Sequence, residues 1–129
     1  MPASTAVVNT GRAIITNRLK GSGTEPLYVA MGTGTTGVAL TDAALGGEVE
    51  SRTTGTSSRT TTSTTNDTFS VTGTVVATAS RTIGEAGLFD QSALGGNMFV
   101  RGVLASTISL ASGDSVAFTF TVQVTSSVV

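Results

Sequence analysis

Val116-Ala-Phe-Thr-Phe-Thr-Val-Gln-Val124 alternates apolar and polar side chains without interruption. A period of two puts Val116, Phe118, Phe120, Val122 and Val124 on one face of an extended strand, and Ala117, Thr119, Thr121 and Gln123 on the other. The turn Ser112-Gly-Asp114 stands just before it. Upstream the pattern recurs: Phe69, Val71, Gly73, Val75, Ala77 and Ala79 alternate with Ser70, Thr72, Thr74, Val76, Thr78 and Ser80, which predicts a core face and a mostly hydroxyl face. Asn66-Asp67 makes the corner in front of that strand. Two compact apolar runs, Ile83 to Phe89 and Met98 to Leu104, are predicted to pair across the glycine-bearing corner at Gly95-Gly96, and Leu27 to Met31 reads as a buried strand. Short strands at this spacing predict a mainly β domain, an antiparallel β-sandwich or a small jelly-roll-like barrel.

The one helix predicted is short and N-terminal, from Asn9 to Gly21, where Ile14, Ile15, Arg18 and Leu19 fall near one face. Asn9 is placed to cap its start and Gly21 to end it, while Gly11 and two β-branched isoleucines work against it. Gly21 to Pro26 reads as a loop, and the glycine-rich text from Gly32 to Gly47 as a surface excursion. The run from Val49 to Thr65 is almost devoid of apolar residues but rich in threonine, whose branched Cβ favours extended backbone; it reads as a polar strand or arm. Residues 1–129 therefore form one domain, with the N-terminal segment 1–26 and the Thr-rich arm 49–66 as assembly elements.

Composition narrows the function. Charged residues are 12% of the 129, against about 25% in typical domains, and the net charge is −1. A free monomer normally relies on mixed surface charge for solubility, so much of this surface is expected to face other protein. The basic residues, Arg12, Arg18, Lys20, Arg52, Arg59, Arg81 and Arg101, form no run, and an isoelectric point near 5.1 does not provide the positive footprint that nucleic acid requires. No stretch approaches the roughly 20 apolar residues that span a bilayer, and Met1-Pro-Ala-Ser-Thr5 lacks a basic signal region. Neither nucleic acid nor membrane is an expected partner.

The residues that usually perform chemistry are scarce. There is no His and no Cys, one Tyr and a single lysine, Lys20, so nucleophiles and bases reduce to hydroxyls and carboxylates. Glu85, isolated between Gly84 and Ala86 in an apolar strand, reads as a structural buried carboxylate held by backbone N–H groups or by Arg81 or Arg101. Asp42, Glu48, Glu50 and Asp90 do not fall in a calcium-loop spacing and read as solvated loop carboxylates. Gly32-Thr-Gly-Thr-Thr-Gly37 matches G-x-G-x-x-G and follows a strand, but no helix of several turns follows it, so its glycines are read as supplying positive φ in a loop. No catalytic residue, cofactor or metal is implied.

The order of features resembles a family of small structural proteins of tailed bacteriophage virions. Tyr28-Val-Ala-Met-Gly-Thr-Gly-Thr-Thr36 is similar to its strand-and-glycine-loop opening, and Thr41-Asp-Ala-Ala-Leu-Gly-Gly-Glu-Val-Glu-Ser-Arg52 to its D-x-x-L-x-x-E passage. Ile83 to Asp90 and Met98 to Arg101 resemble its central hairpin, and Ser112 to Phe120 its closing strand. The resemblance implies a protein made in the host cytoplasm and carried in the virion. A chain of one compact domain favours a decoration, or cement, protein on the capsid exterior, with the major capsid protein and copies of itself, as a homotrimer, for partners. The alternative is a tail-fibre or tail-tip subunit contacting the host surface, for which a chain without Trp offers a poor sugar-stacking platform. Docking is expected through Arg12 and Arg18 and through Arg52 and Arg59, charges standing in otherwise neutral surfaces; reversing Arg52 and Arg59 is expected to weaken attachment without unfolding the chain.

Overall fold

The computed structural model describes residues 3–128; Met1, Pro2 and Val129 lie outside the described residues, and with them the start of segment 1–26. The elements run β1 (Ser4–Val7), α1 (Asn9–Lys20), β2 (Tyr28–Gly32), β3 (Glu48–Thr54), β4 (Thr56–Thr60), β5 (Thr68–Val76), β6 (Arg81–Phe89), β7 (Met98–Leu110) and β8 (Ser115–Gln123). They build two antiparallel sheets, one of five strands in the order β1-β7-β6-β2-β3 and one of three in the order β4-β5-β8. This is a mainly β sandwich with one short N-terminal helix.

Alternation makes the core. Val71 and Val75 of β5 and Phe118 and Phe120 of β8 turn inward and meet Val29 and Met31 of β2 and Leu88 of β6. Each such side chain contributes about 1.5–3 kcal/mol when it leaves water. The predicted pairing of the two apolar runs is present as β6 against β7, with Leu88 opposite Val100 and Gly87 opposite Arg101. The inward series stops sooner than its spacing implies, because Ala79 lies past the end of β5 and Val124 past the end of β8, and both are exposed.

The five-stranded sheet is also covered on its other face. Residues 33–47, expected to be a surface excursion, fold back so that Leu45 and Val38 pack with Ala30, Phe89 and Met98. The threonine-rich run is not one arm. Gly55 divides it: β3 pairs with β2 in the larger sheet, β4 pairs with β5 in the smaller, and the Gly55 N–H donates to the Leu27 carbonyl at 2.7 Å. The run is thus an edge strand of both sheets, and the chain changes layer at a residue without a side chain.

α1 ends as predicted, with Gly21 left-handed at φ 87° and its N–H returned to the Arg18 carbonyl. Its start differs. Val8 is the capping residue and makes no side-chain cap, while the Asn9 N–H donates to the Leu40 carbonyl at 2.9 Å. The helix is instead tied to β7: the Val8 N–H donates to the Phe99 carbonyl at 3.2 Å and the Thr10 hydroxyl to the Met98 carbonyl at 2.6 Å. Gly11, unfavourable for helix formation alone, is what lets the helix approach so closely, since a Cβ there would overlap the Phe99 carbonyl. Replacing Gly11 by Ala should therefore lower stability by about 1–3 kcal/mol, the usual cost of overpacking, although Ala is the better helix former. Urea unfolding of Gly11→Ala checks this; unchanged or raised stability would show that the helix docks loosely.

Candidate functional site

Glu85 is fully buried on β6, on the face covered by residues 33–47. Its Oε2 accepts the Gly34 and Gly47 N–H groups, both at 2.8 Å, and its Oε1 accepts the Gly46 N–H at 2.8 Å. Arg101, on β7 opposite Gly87, reaches across to donate to Oε1 from Nε at 3.1 Å and from a terminal nitrogen at 3.0 Å. The same guanidinium reaches the Asp42 carboxylate at 3.0 Å and the Thr36 carbonyl at 3.0 Å. The glycine pattern thus does form an anion cradle, but the anion is the chain's own carboxylate. Gly32, Gly34 and Gly37 do not have positive φ, contrary to the sequence expectation; Gly32 and Gly34 are required because a Cβ on either would strike Glu85. With both oxygens engaged and no water contact, this carboxylate has no face left for a substrate.

Most of the other carboxylates are spent in the same manner; the Glu25 side chain makes no hydrogen bond or salt bridge among the described residues. Glu48 pairs with Arg52 at 2.9 Å, Glu50 binds the Thr78 N–H and hydroxyl at 2.8 Å and Arg81 at 3.0 Å, and Asp90 accepts from the Asn97 N–H at 2.8 Å. Among the described residues no three His, Cys, Asp or Glu side chains gather in one place. The Asp67 carboxylate closes the β4–β5 loop by accepting the Thr62 N–H at 2.8 Å and the Ser63 and Thr64 N–H groups at 3.0 Å. Those backbone donors, Thr64 and Thr62 foremost, hold its carboxyl well below the ordinary value of 3.8. The Thr78 N–H and hydroxyl, then Arg81, likewise lower Glu50 from 4.5.

Of the four arginines chosen for docking, Arg52 is corrected. Its side chain is only 2% exposed; Nε and a terminal nitrogen hold Glu48, the other holds the Gln91, Ala93 and Gly95 carbonyls at 2.8–3.0 Å, and the guanidinium lies 3.6 Å over the Phe89 ring. It is a strut fixing the β6–β7 turn to β3, so reversing it would damage the fold rather than test attachment. Arg12 and Arg18 are exposed on α1, Arg18 donating to the Gly23 carbonyl at 2.9 Å, and Arg59 is exposed on β4.

Arg18 and Arg59 come together. They stand on the rim of an apolar groove of about 600 Å³ between α1 and one end of the smaller sheet, lined by Ile15 and Leu19 on one side and Phe69 and Val122 on the other. Leu19, read from the sequence as sharing a face with Ile14, Ile15 and Arg18, is 82% exposed, while Ile14 of that face is buried. Of the seven basic residues, the three in salt bridges are Arg52, Arg81 and Arg101; the other four, Arg12, Arg18, Lys20 and Arg59, all belong to α1 or β4. Two of these four, Arg18 and Arg59, line the groove together with one carboxylate, Glu25. Sequence carried only half the signal for it, the apolar helix stripe, because the facing wall comes from three strands distant in the chain.

Two measurements follow. Glu85→Gln removes the buried counter-charge of Arg101, leaving it only the partly exposed Asp42, and should lower stability by about 3 kcal/mol in urea unfolding; a loss below about 1 kcal/mol would mean that residues 33–47 are held by packing alone. Glu50 and Asp67 both have lowered folded values, so the stability they contribute is complete above their ordinary values of 4.5 and 3.8 and disappears as the pH falls toward the folded ones. Stability should hold on their account from about pH 7 to about pH 5 and fall in stronger acid, and Glu50→Gln should make that fall shallower. An unaltered acid limb would deny Glu50 its part.

Compared with the models of known families, with curated proteins and with solved structures, the chain finds no significant match.

Proposed function

We propose that this chain is a non-enzymatic structural protein of a phage virion, a decoration protein that seats on the assembled head through the groove between α1 and the smaller sheet. The observation that carries this reading is the contrast between interior and surface. Buried carboxylates and guanidinium groups are consumed by one another and by backbone, whereas the groove leaves Leu19 in water beside Arg18 and Arg59. A surface poor in charge, with an apolar groove that carries Arg18, Arg59 and Glu25 at its margin, suits protein contact better than substrate turnover. The occupant that complements it is an apolar segment of the major capsid protein carrying an acidic side chain. A protein that binds the assembled lattice and not its separated parts stabilises the full head by mass action. The sequence resemblance to virion proteins supplies the setting, and the sandwich fold accords with it.

Antibody-gold labelling of intact particles tests the location: label over the head is expected, and label confined to the tail would replace the decoration reading with that of a fibre or tip subunit. Arg59→Glu and Leu19→Asp test the groove. Each should lower occupancy on heads about tenfold, the equivalent of 1.4 kcal/mol, without changing the melting temperature. Full occupancy of heads by both variants would remove the groove from the interface.

A further inference from the structure

The two sheets end on four edge strands, and three of them carry a feature that discourages pairing with another chain; β7 also runs past β1 from Leu104 to Leu110, but its register with β6 breaks there, between Ile83 and Glu85. β1 is only 4 residues long. β3 bears Glu48, Glu50 and Arg52, and its register with β2 breaks at a bulge where Glu50 takes φ 67°. β4 is 5 residues long and carries Arg59. β8 has no such feature: its 9 residues include no charge, proline or glycine, and it pairs with β5 in unbroken register from Thr68↔Gln123 to Val76↔Ser115. Its other edge presents unpaired backbone groups along a straight strand.

We propose that this edge is a self-association site, β8 pairing antiparallel with β8 of a second copy about a two-fold axis at Thr119. The sheets would then join in the order β4-β5-β8-β8-β5-β4. The choice of partner comes from the strand itself. An axis perpendicular to the sheet keeps the Phe faces of both copies on one side, and directly opposite residues must then share a face, so some residue lies opposite its own copy. Taking Thr119 as that residue engages all 9 positions. It sets Phe118 against Phe120, Val116 against Val122, Ala117 against Thr121 and Ser115 against Gln123, like with like throughout. Pairing β8 with β4 of the next copy would match 9 residues with 5 and bring Arg59 to the seam. A two-fold contact closes at two copies, in contrast to the trimer expected from the sequence. The edge alone buries less than the ~1,200 Å² of a permanent interface, so the association is concentration-dependent. The inference is independent of the virion reading.

Sedimentation equilibrium at rising concentration tests it. The mass should climb from that of one chain, 12.8 kDa, toward twice that value. Thr119 is exposed, and its hydroxyl pairs with that of Thr72 at 3.1 Å on the outer face, so Thr119→Lys and Thr119→Glu should fold. Each alone should remain a single chain, because like charges face each other at the axis, and an equimolar mixture should regain the doubled mass. A wild-type chain that never associates, a limiting mass of three chains, single variants that associate like wild type, or a mixture that stays single would each overturn the proposal. If the Thr119 variants melt early, Ala117→Lys with Thr121→Glu in one chain sets opposite charges across the axis and should keep the doubled mass. Ala117→Lys with Thr121→Lys should lose it, and equal behaviour of the two double variants would count against this register.

Discussion

The interior ion pair of Glu85 and Arg101 is the constraint on which the larger sheet depends. Burying a carboxylate and a guanidinium is costly unless every lone pair and proton finds a partner. Here the partners come from one place, the segment 33–47, whose Gly34, Gly46 and Gly47 N–H groups and Thr36 carbonyl close around the pair. The segment is thereby held on the second face of the sheet, where Leu45 and Val38 also pack with Phe89 and Met98. Charge pairing and apolar contact fix it together.

A second strut works by the same logic at the sheet margin. Arg52 lies flat over Phe89 and gathers three carbonyls of the β6–β7 turn while holding Glu48. Glu50 does the equivalent between β3 and the residues following β5, joining Thr78 and Arg81. Both start from β3, the edge strand that continues through Gly55 into the other sheet. Both struts tie the margin of the larger sheet, and the covalent passage to the smaller one follows directly from it at Gly55.

The strands were legible in the sequence wherever one face is buried and the other wet, because period-two alternation reports that condition directly: β5 and β8 fall where Phe69 to Val76 and Val116 to Val122 alternate. Glu85 was legible as a buried carboxylate because a lone acid between Gly84 and Ala86 has no other reason to stand in an apolar strand. Where the reading failed, the missing information was long-range. Gly11 looks like a defect in a helix until the Phe99 carbonyl is placed beside it, and Gly32 and Gly34 look like turn residues until Glu85 is placed beneath them. Arg52 looked free because nothing near it in sequence is apolar, while its actual neighbours are 37–43 residues downstream. The division of the threonine run between two sheets was hidden for a related reason, since hydroxyl-rich edge strands carry no alternation to mark where one ends.

The distribution of charge connects fold to role. With 7 basic and 8 acidic residues the chain has little to spend, and much of it goes inward or into loop caps such as Asp67. What is left on the outside is largely a hydroxyl surface, with the four cations outside salt bridges on α1 and β4 and Glu25 close to two of them. A protein that had to remain a dispersed monomer would distribute the same charges over its open edges, as β3 does. β8 is uncharged along its full length, and Leu19 stands in water beside two arginines. Solubility has been given up at two separate positions, an edge suited to backbone pairing and a groove suited to an acidic apolar segment. The two are compatible, since the β8 edge and the α1 groove lie on different elements and offer different chemistry, backbone pairing at one and apolar contact at the other.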